Sequence, residues 1–323
     1  MVERDEIVVA GLSHQGMIRK DNQDSYGFIE PEAEELLKRR GRLFIVADGL
    51  GGHRGGRVAS KMAVDIVGKL YYTSDKDPIY PALLHALDVA NRSIFESSSK
   101  HEELQGMATT CTALVLLPPY LYMAHVGDSR AYLVRNGMIK QLTTDHTLVE
   151  EMVNSGIINH DEARSHPDSH ILTRSLGILQ AVEIDILEPP LRIQPGDSLL
   201  MCSDGLTVYL DDQEILQVVS GNTPEKACET LVETANERGG RDNVTVELVH
   251  IKKPGEAPPE AAEKTEPLIS HTERLLGSPT PAALPVPSDG QEEREESETY
   301  WAVLFYAAYL AFMILYFYFY FNK

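Results

Sequence analysis

Cysteine is scarce in this chain, with three in 323 residues: Cys111, Cys202 and Cys228. None stands at metal-ligand spacing from another, and each falls in an apolar or helical pattern. That excludes a disulfide-stapled scaffold or a thiolate zinc site, and predicts reduced core residues of a cytosolic domain. The positions six residues after them hold Leu117, Val208 and Thr234, never arginine, which excludes a cysteine-dependent phosphatase. Positive charge is also short. Lys and Arg number 29 against 49 Asp and Glu, a formal net charge of −20, so nucleic acid is not an expected partner. No Gly-Lys-Ser/Thr is present, which excludes a P-loop, and the glycine-rich stretch 49–54 lacks the third glycine of the dinucleotide pattern. Asp75-x-Asp77 lies in a polar stretch before Pro78 rather than closing an apolar strand, as aspartyl-phosphate chemistry needs. The N-terminus, MVERDEIVVAGLSH, has no apolar signal-like core.

What the chain does have is aspartate at the ends of apolar runs. Leu43–Ala47 stops at Asp48-Gly49, Leu199–Cys202 stops just before Asp204-Gly205, and Asp242 precedes the run Val244–Ile251. A strand fixes such a carboxylate while the following loop exposes it. Three aspartates without a nearby His or Cys cluster are hard oxygen ligands, suited to Mg²⁺ or Mn²⁺ rather than zinc. Asp48 is placed to bridge two ions, with the Gly49 carbonyl as a further ligand. Two ions about 3.5–4 Å apart would lower the pKa of a shared water and hold it for in-line attack on phosphorus. Arg19, in Arg19-Lys20-Asp21-Asn22-Gln23-Asp24, is the natural cation for a phosphate, because a guanidinium pairs with its oxygens bidentately.

The periodicity gives an α+β element order. Strands are expected at Ile7–Gly11, Leu43–Ala47, Cys111–Leu117, Leu121–Val126, Arg130–Val134, Met138–Leu142, Ile184–Leu187, Ser198–Cys202 and Val244–Ile251. Asn136-Gly137 signals a hairpin. Helices are expected around Val58–Leu70, Ile79–Ser97 and Thr147–Asn154, from the Asp211-x-x-Glu214 capping box to Val219, and from Thr223-Pro224 to Glu237. His14–Ser25 and His160–Ser169 read as polar and irregular.

Six motifs in series carry a family resemblance: Arg-x-x-Asn-Gln-Asp (19–24), ValAlaAspGlyLeuGlyGlyHis (46–53), GlyAspSerArg (127–130), LeuThrArgSerLeuGly (172–177), CysSerAspGlyLeuThr (202–207) and GlyGlyArgAspAsnValThrVal (239–246). In this order, over residues 5–251, the chain resembles the protein phosphatase 2C family of metal-dependent Ser/Thr phosphatases in its bacterial form. The resemblance implies a central β-sandwich of two antiparallel sheets flanked by antiparallel helix pairs. It implies Asp48 as bridging ligand, Gly49 as carbonyl ligand, Asp204 and Asp242 on the first of two core Mn²⁺ or Mg²⁺ ions, and Asp24 in the metal shell. Asp128 with Asp204 would form a weaker third site, Arg19 would bind substrate phosphate, and Asn243 would support Asp242. The stretch from Val153 to Ile171 would be a mobile flap that reads substrate. Leu50 stands where many eukaryotic members have a histidine proposed as general acid, so a metal-bound water is the expected proton donor, with His53 a distant second, and Gln23 stands where others have Glu. Every expected metal-binding aspartate is present, so the implied activity is hydrolysis of phosphoserine and phosphothreonine in proteins by a two-metal-activated water.

The phosphatase domain is expected to span 1–252. Residues 253–299, rich in Pro, Glu, Ala and Ser, read as a disordered linker. Residues 300–323 hold about 21 uncharged positions with aromatic residues at both edges, the length and pattern of a C-terminal transmembrane helix. The expectation is a single-pass membrane protein with its catalytic domain on the cytoplasmic side, acting on phosphoproteins that include a membrane Ser/Thr kinase and its substrates.

Overall fold

The structure is a computed structural model and describes residues 7–252 apart from 52–53, 74–76 and 165. The linker at 253–299, the expected span at 300–323 and His53 lie outside the described residues. Among the described residues no helix is long and apolar enough to cross a membrane.

In chain order the elements are β1 (Ile7–His14), β2 (Ser25–Ile29), α1 (Glu34–Arg40), β3 (Arg42–Ala47), β4 (Gly49–Leu50), α2 (Gly55–Thr73), α3 (Ile79–Lys100), β5 (Ala108–Thr109), β6 (Cys111–Leu117), β7 (Tyr120–Val126), β8 (Arg130–Arg135), β9 (Met138–Gln141), α4 (Leu148–Asn154), α5 (His160–Arg164), β10 (Asp185–Ile186), β11 (Leu191–Arg192), β12 (Ser198–Cys202), α6 (Asp204–Thr207), α7 (Asp212–Gly221), α8 (Pro224–Glu237) and β13 (Val244–Ile251). One sheet runs β1-β13-β12-β8-β9 and the other β10-β7-β6-β3-β2, with β11 also on β7 and β4-β5 as a separate small pair. Every pairing is antiparallel.

Side-chain alternation explains the layering. On β3, Leu43, Ile45 and Ala47 join Ala59, Ala63, Val67, Leu83 and Leu87 of α2 and α3 in one apolar cluster. Phe44 and Val46 point the other way and meet Leu199, Met201, Val249 and Ile251 of the second sheet. β3 is covered on both faces and all six of its residues are buried, the one charged residue, Arg42 at its start, being paired with Glu30. On the far side, Val244, Val246 and Leu248 pack with Ile215, Leu231 and Val232 of α7 and α8. Helix pair, sheet, sheet, helix pair is therefore the order of layers, as the resemblance implies. Cys111, Cys202 and Cys228 are buried free thiols.

Local signals behave as expected. Asn136 and Gly137 adopt φ of 53° and 72° between β8 and β9, the left-handed pair that a two-residue hairpin turn needs. Asp211 and Glu214 cap each other's backbone at the start of α7, and the Thr223 side chain caps α8 with Pro224 in its first turn.

The differences have local causes. Residues 160–164 are not irregular but form α5, because Asn159 Oδ1 accepts from Glu162 N–H while Glu162 Oε2 accepts from Asn159 N–H. This reciprocal cap starts a helix that buries only Ala163, so no apolar period betrays it. β2 escapes the pattern because Gly27 interrupts it, and a Cβ there would stand 3.0 Å from Val64 on α2. β11 is two residues long and follows a cis Glu188-Pro189 peptide with a second proline, Pro190.

One buried group opposes this fold. Glu247 on β13 is 1% exposed between the sheets, opposite Gly11 and Met201, and neither carboxyl oxygen has a hydrogen-bond partner. Burial pushes its carboxyl well above the ordinary 4.5. As pH rises past 4.5 the unfolded chain releases this proton while the folded chain keeps it, so stability from this group is lost with rising pH. Glu247→Met conserves shape and removes the orphaned oxygens. Its urea midpoint should exceed wild type by the equivalent of about 1–3 kcal/mol at pH 7, with the gap shrinking toward pH 4, as urea titrations at several pH values will show.

Candidate active site

The carboxylates converge at one end of the sandwich. Asp48 follows the last residue of β3, Asp204 opens α6 just past β12, Asp242 precedes β13, and Asp128 lies in the turn before β8. Asp24 immediately precedes β2. Two sheets whose strands run antiparallel bring these five ends together from positions up to 218 residues apart.

Each carboxylate is held by its own set of bonds. Asp48 N–H donates to Thr110 Oγ1 at 2.8 Å, and its carbonyl accepts from Thr110 N–H and Thr109 Oγ1. Asp24 Oδ2 accepts from Ser203 Oγ at 2.8 Å and from Thr245 Oγ1 at 2.6 Å. Ser13 and then Asn22 continue that chain toward the surface. Close packing also requires glycine at position 49. A Cβ there would lie 2.1 Å from the Gly56 carbonyl oxygen and 2.5 Å from that of Gln23. The residue therefore lets the loop pack against the first turn of α2.

Electrostatics mark the cluster as strained. Burial, then the neighbouring Asp24, Asp204, Asp128 and Asp242, push the Asp48 carboxyl well above the usual carboxylate range. Burial and the nearby Asp204 and Asp145 do the same to Asp128. Burial and Asp242 raise Asp204, moderated by a hydrogen bond with Asp48. Asp24 is pushed up to about 7, mainly by burial, against the pull of Thr245 and Ser203. Like charges forced together in a partly dry site cost free energy unless a cation offsets them. Asp24 Oδ1 and Asp204 Oδ1 are buried without any hydrogen-bond partner. Among the described residues no three His, Cys, Asp or Glu side chains already stand in ligating geometry. The orphaned oxygens and the all-oxygen donor set nonetheless fit a hard divalent cation.

Arg19 is half-exposed and donates Nη2–H to Asp242 Oδ2 at 2.6 Å, so the guanidinium stands at the centre. Asn243 does more than support Asp242. Its Oδ1 accepts from Gln23 N–H at 2.8 Å, and its Nδ2 donates to the Gln15 and Asp21 carbonyls at 3.0 Å. It thereby fastens the whole 15–23 loop that carries Arg19. Leu50, on β4, places an aliphatic side chain where a general-acid histidine was absent from the sequence.

The structure gives a positioning role to Thr110 and to three residues that the motifs contain without a role, Ser129, Ser203 and Thr245. Short hydroxyl side chains are too common to stand out in a sequence. A cleft of about 550 Å³, lined by Asn136, Asp197, Ser198, Thr223, His250 and Lys252, lies at the opposite ends of β8, β12 and β13. The carboxylates and Arg19 are not there, so chemistry belongs to the other end.

Residues 17–247 match the model of the protein phosphatase 2C family. The chain is 37% identical over 240 residues to a serine/threonine phosphatase stp of Listeria monocytogenes, covering 73% of this chain and 92% of the relative. It superimposes on the Streptococcus agalactiae serine/threonine phosphatase with a TM-score of 0.69 at 36% identity, over 76% of this chain and all of the other. The catalytic domain of the serine/threonine phosphatase PstP, solved with two manganese ions, gives a TM-score of 0.64 at 31% identity, over 76% and 99%.

Asn243→Ala removes three hydrogen bonds at a position 4% exposed. It should lower stability by about 2–3 kcal/mol and, in limited proteolysis, open the 15–23 loop before the rest of the domain.

Proposed function

The chain belongs to the protein phosphatase 2C family, and on that premise we propose that its carboxylate centre hydrolyses phosphoserine and phosphothreonine with two divalent cations bound, close to a membrane. It is a metal-dependent phosphoprotein phosphatase. The observation that carries the mechanism is the convergence of Asp24, Asp48, Asp204 and Asp242, with the carboxyls of Asp24, Asp48 and Asp204 raised and two buried oxygens orphaned. Asp48, Asp204 and Asp242 would hold the core cations with the Gly49 carbonyl, Asp24 would complete the shell, and Asp128 with Asp204 would hold a weaker third. When bound, such ions supply Lewis acidity and a water of lowered pKa.

The remaining work falls to the chain's own groups. Arg19 is the one cationic side chain that touches the carboxylates among the described ion pairs, and its fork can turn from Asp242 to two phosphate oxygens. Asn243 limits that movement by anchoring the loop at Gln15, Asp21 and Gln23. His125, His146 and His14 are engaged elsewhere. Burial holds His125 at about 3, both ring nitrogens of His146 face Gly127 and Asp185, and His14 Nδ1 accepts from Gly16 N–H. A water held at the carboxylate centre would protonate the leaving oxygen, with His53, outside the described residues, a distant second.

Membrane action rests on the sequence beyond residue 252. A linker of roughly 48 residues gives an r.m.s. reach of about 35–40 Å, and an anchor at 300–323 would raise the effective concentration of the domain toward membrane-bound substrates. A transmembrane Ser/Thr kinase and its targets are the natural partners.

Two experiments test this reading. With Mn²⁺ the protein should hydrolyse an aryl phosphate, and chelation or Asp204→Asn should reduce the rate by more than about 100-fold. A folded wild-type protein without metal-dependent hydrolysis would favour a non-catalytic scaffold. Deleting residues 300–323 should leave aryl phosphate turnover unchanged and slow dephosphorylation of a membrane kinase in cells, and equal rates on the kinase would remove the tether.

A further inference from the structure

Three parts of the molecule meet at His146, which is 5% exposed. The first is the turn that carries Asp128. His146 N–H donates to the Gly127 carbonyl at 2.8 Å, and Gly127 N–H donates to His146 Nδ1 at 3.1 Å. Gly127 has φ of +112°, and a Cβ there would stand 2.5 Å from Thr110 Cγ2. Gly127 thus has no side chain of its own to steady the turn at this position, and His146 clamps its peptide from both sides.

The second part is the neck of the segment that holds α4 and α5. The His146 carbonyl accepts from Thr173 N–H at 2.8 Å, Thr147 bridges Leu172, and Leu148 N–H donates to the Ile171 carbonyl. The third is the edge of the sandwich. His146 Nε2 lies 3.1 Å from Asp185 Oδ2, a polar pair rather than a well-aligned hydrogen bond. Asp185 is also held by Arg174 Nη1 at 2.8 Å, the residue after Thr173. Because Nδ1 accepts from Gly127, the neutral ring carries its proton on Nε2, facing Asp185. The ring also packs at 4.8 Å between centroids against His125, which bonds Thr112, and Thr112 in turn donates to the Ser129 carbonyl.

We propose that His146 is a positioning residue that couples the segment 147–171 to Asp128, so that substrate engaged by that segment changes how Asp128 holds its cation. The coupling rests on the reading of Asp128 as a member of the carboxylate centre. One imidazole reaches Gly127 on one side and Asp185 on the other, while its backbone closes the neck, so neither part moves without the other.

The test measures linkage rather than turnover alone. Mn²⁺ binding is followed by calorimetry with and without a non-hydrolysable phosphopeptide, on wild type, His146→Ala, His146→Asn and Asp185→Asn. In wild type the peptide should tighten the weakest Mn²⁺ site, and Mn²⁺ should tighten the peptide by the same factor. His146→Ala should weaken that site about tenfold, as loss of a group supporting a ligand does, and abolish the linkage. Its kcat on aryl phosphate at saturating Mn²⁺ should stay within about threefold of wild type. His146→Asn, whose Oδ1 can replace Nδ1 at Gly127, should restore the Mn²⁺ affinity. Linkage unchanged in His146→Ala, or equal defects in the Ala and Asn variants, would overturn the coupling. If His146→Ala does not fold, Asp185→Asn at the half-exposed partner must still reduce the linkage. Amide exchange without metal reads the joint independently: His146→Ala should speed exchange in both 127–130 and 147–171. Asp128→Ala that leaves all Mn²⁺ sites intact would count against Asp128 as a ligand, while the exchange result would still decide the joint.

Discussion

Repulsion among the aspartates is the constraint on which the rest of the structure depends. Asp24, Asp48, Asp128 and Asp204 have carboxyls raised by burial and by one another. No local segment would gather such groups, because each gains by moving apart. They stay together because each sits at the end of a strand or the start of a helix whose position is set by burial of apolar surface elsewhere. Three apolar clusters, two under the helix pairs and one between the sheets, do that work. The free energy of the core is what holds the charges close enough to share a cation.

Precision comes from small hydroxyls. Thr110 Oγ1 takes the Asp48 N–H and touches Ser129 Oγ at 2.7 Å, so Asp48 and the residue after Asp128 are linked across β6 and β8. Ser203 and Thr245 link Asp24 to the strands that end at Asp204 and begin after Asp242, and Ser203 Oγ itself accepts from Thr245 N–H. Serine and threonine have one rotatable heavy-atom bond and cannot trail far from the backbone. A centre held by them inherits the rigidity of the sheets. Long polar side chains in the same places would need many more fixed torsions for the same geometry.

Much of this was legible in the sequence, for identifiable reasons. β6, β12 and β13 are bounded as the strand-like runs Cys111–Leu117, Ser198–Cys202 and Val244–Ile251 indicate, because strands buried on both faces are rich in apolar and β-branched residues. The aspartates were visible because they break those runs. α5 was hidden, since a helix with one buried residue has no apolar period. The supporting hydroxyls were hidden, since their partners lie up to 221 residues away. Gly49 was visible as important, but the structure gives it a packing role against Gly56 that its sequence neighbours do not disclose. His146 falls in a polar stretch, and only the fold brings it to Gly127.

The division between rigid centre and lightly packed segment bears on selectivity. On the proposed function, Arg19 and a carboxylate-bound cation would recognise a phosphoryl group, which is the same on every phosphopeptide. Discrimination between peptides must come from side chains around the centre. Of residues 148–171 only Val149 and Ala163 are buried hydrophobics, while Ile157 and Ile171 stand exposed, so this segment gains little from the core and opens at low cost. Such a segment can adapt to a peptide without disturbing the sheets. If this segment reads substrate, a centre built on strands and a reader built on short, weakly packed helices would let one domain keep its carboxylate scaffold while its choice of substrate varies with a few surface residues.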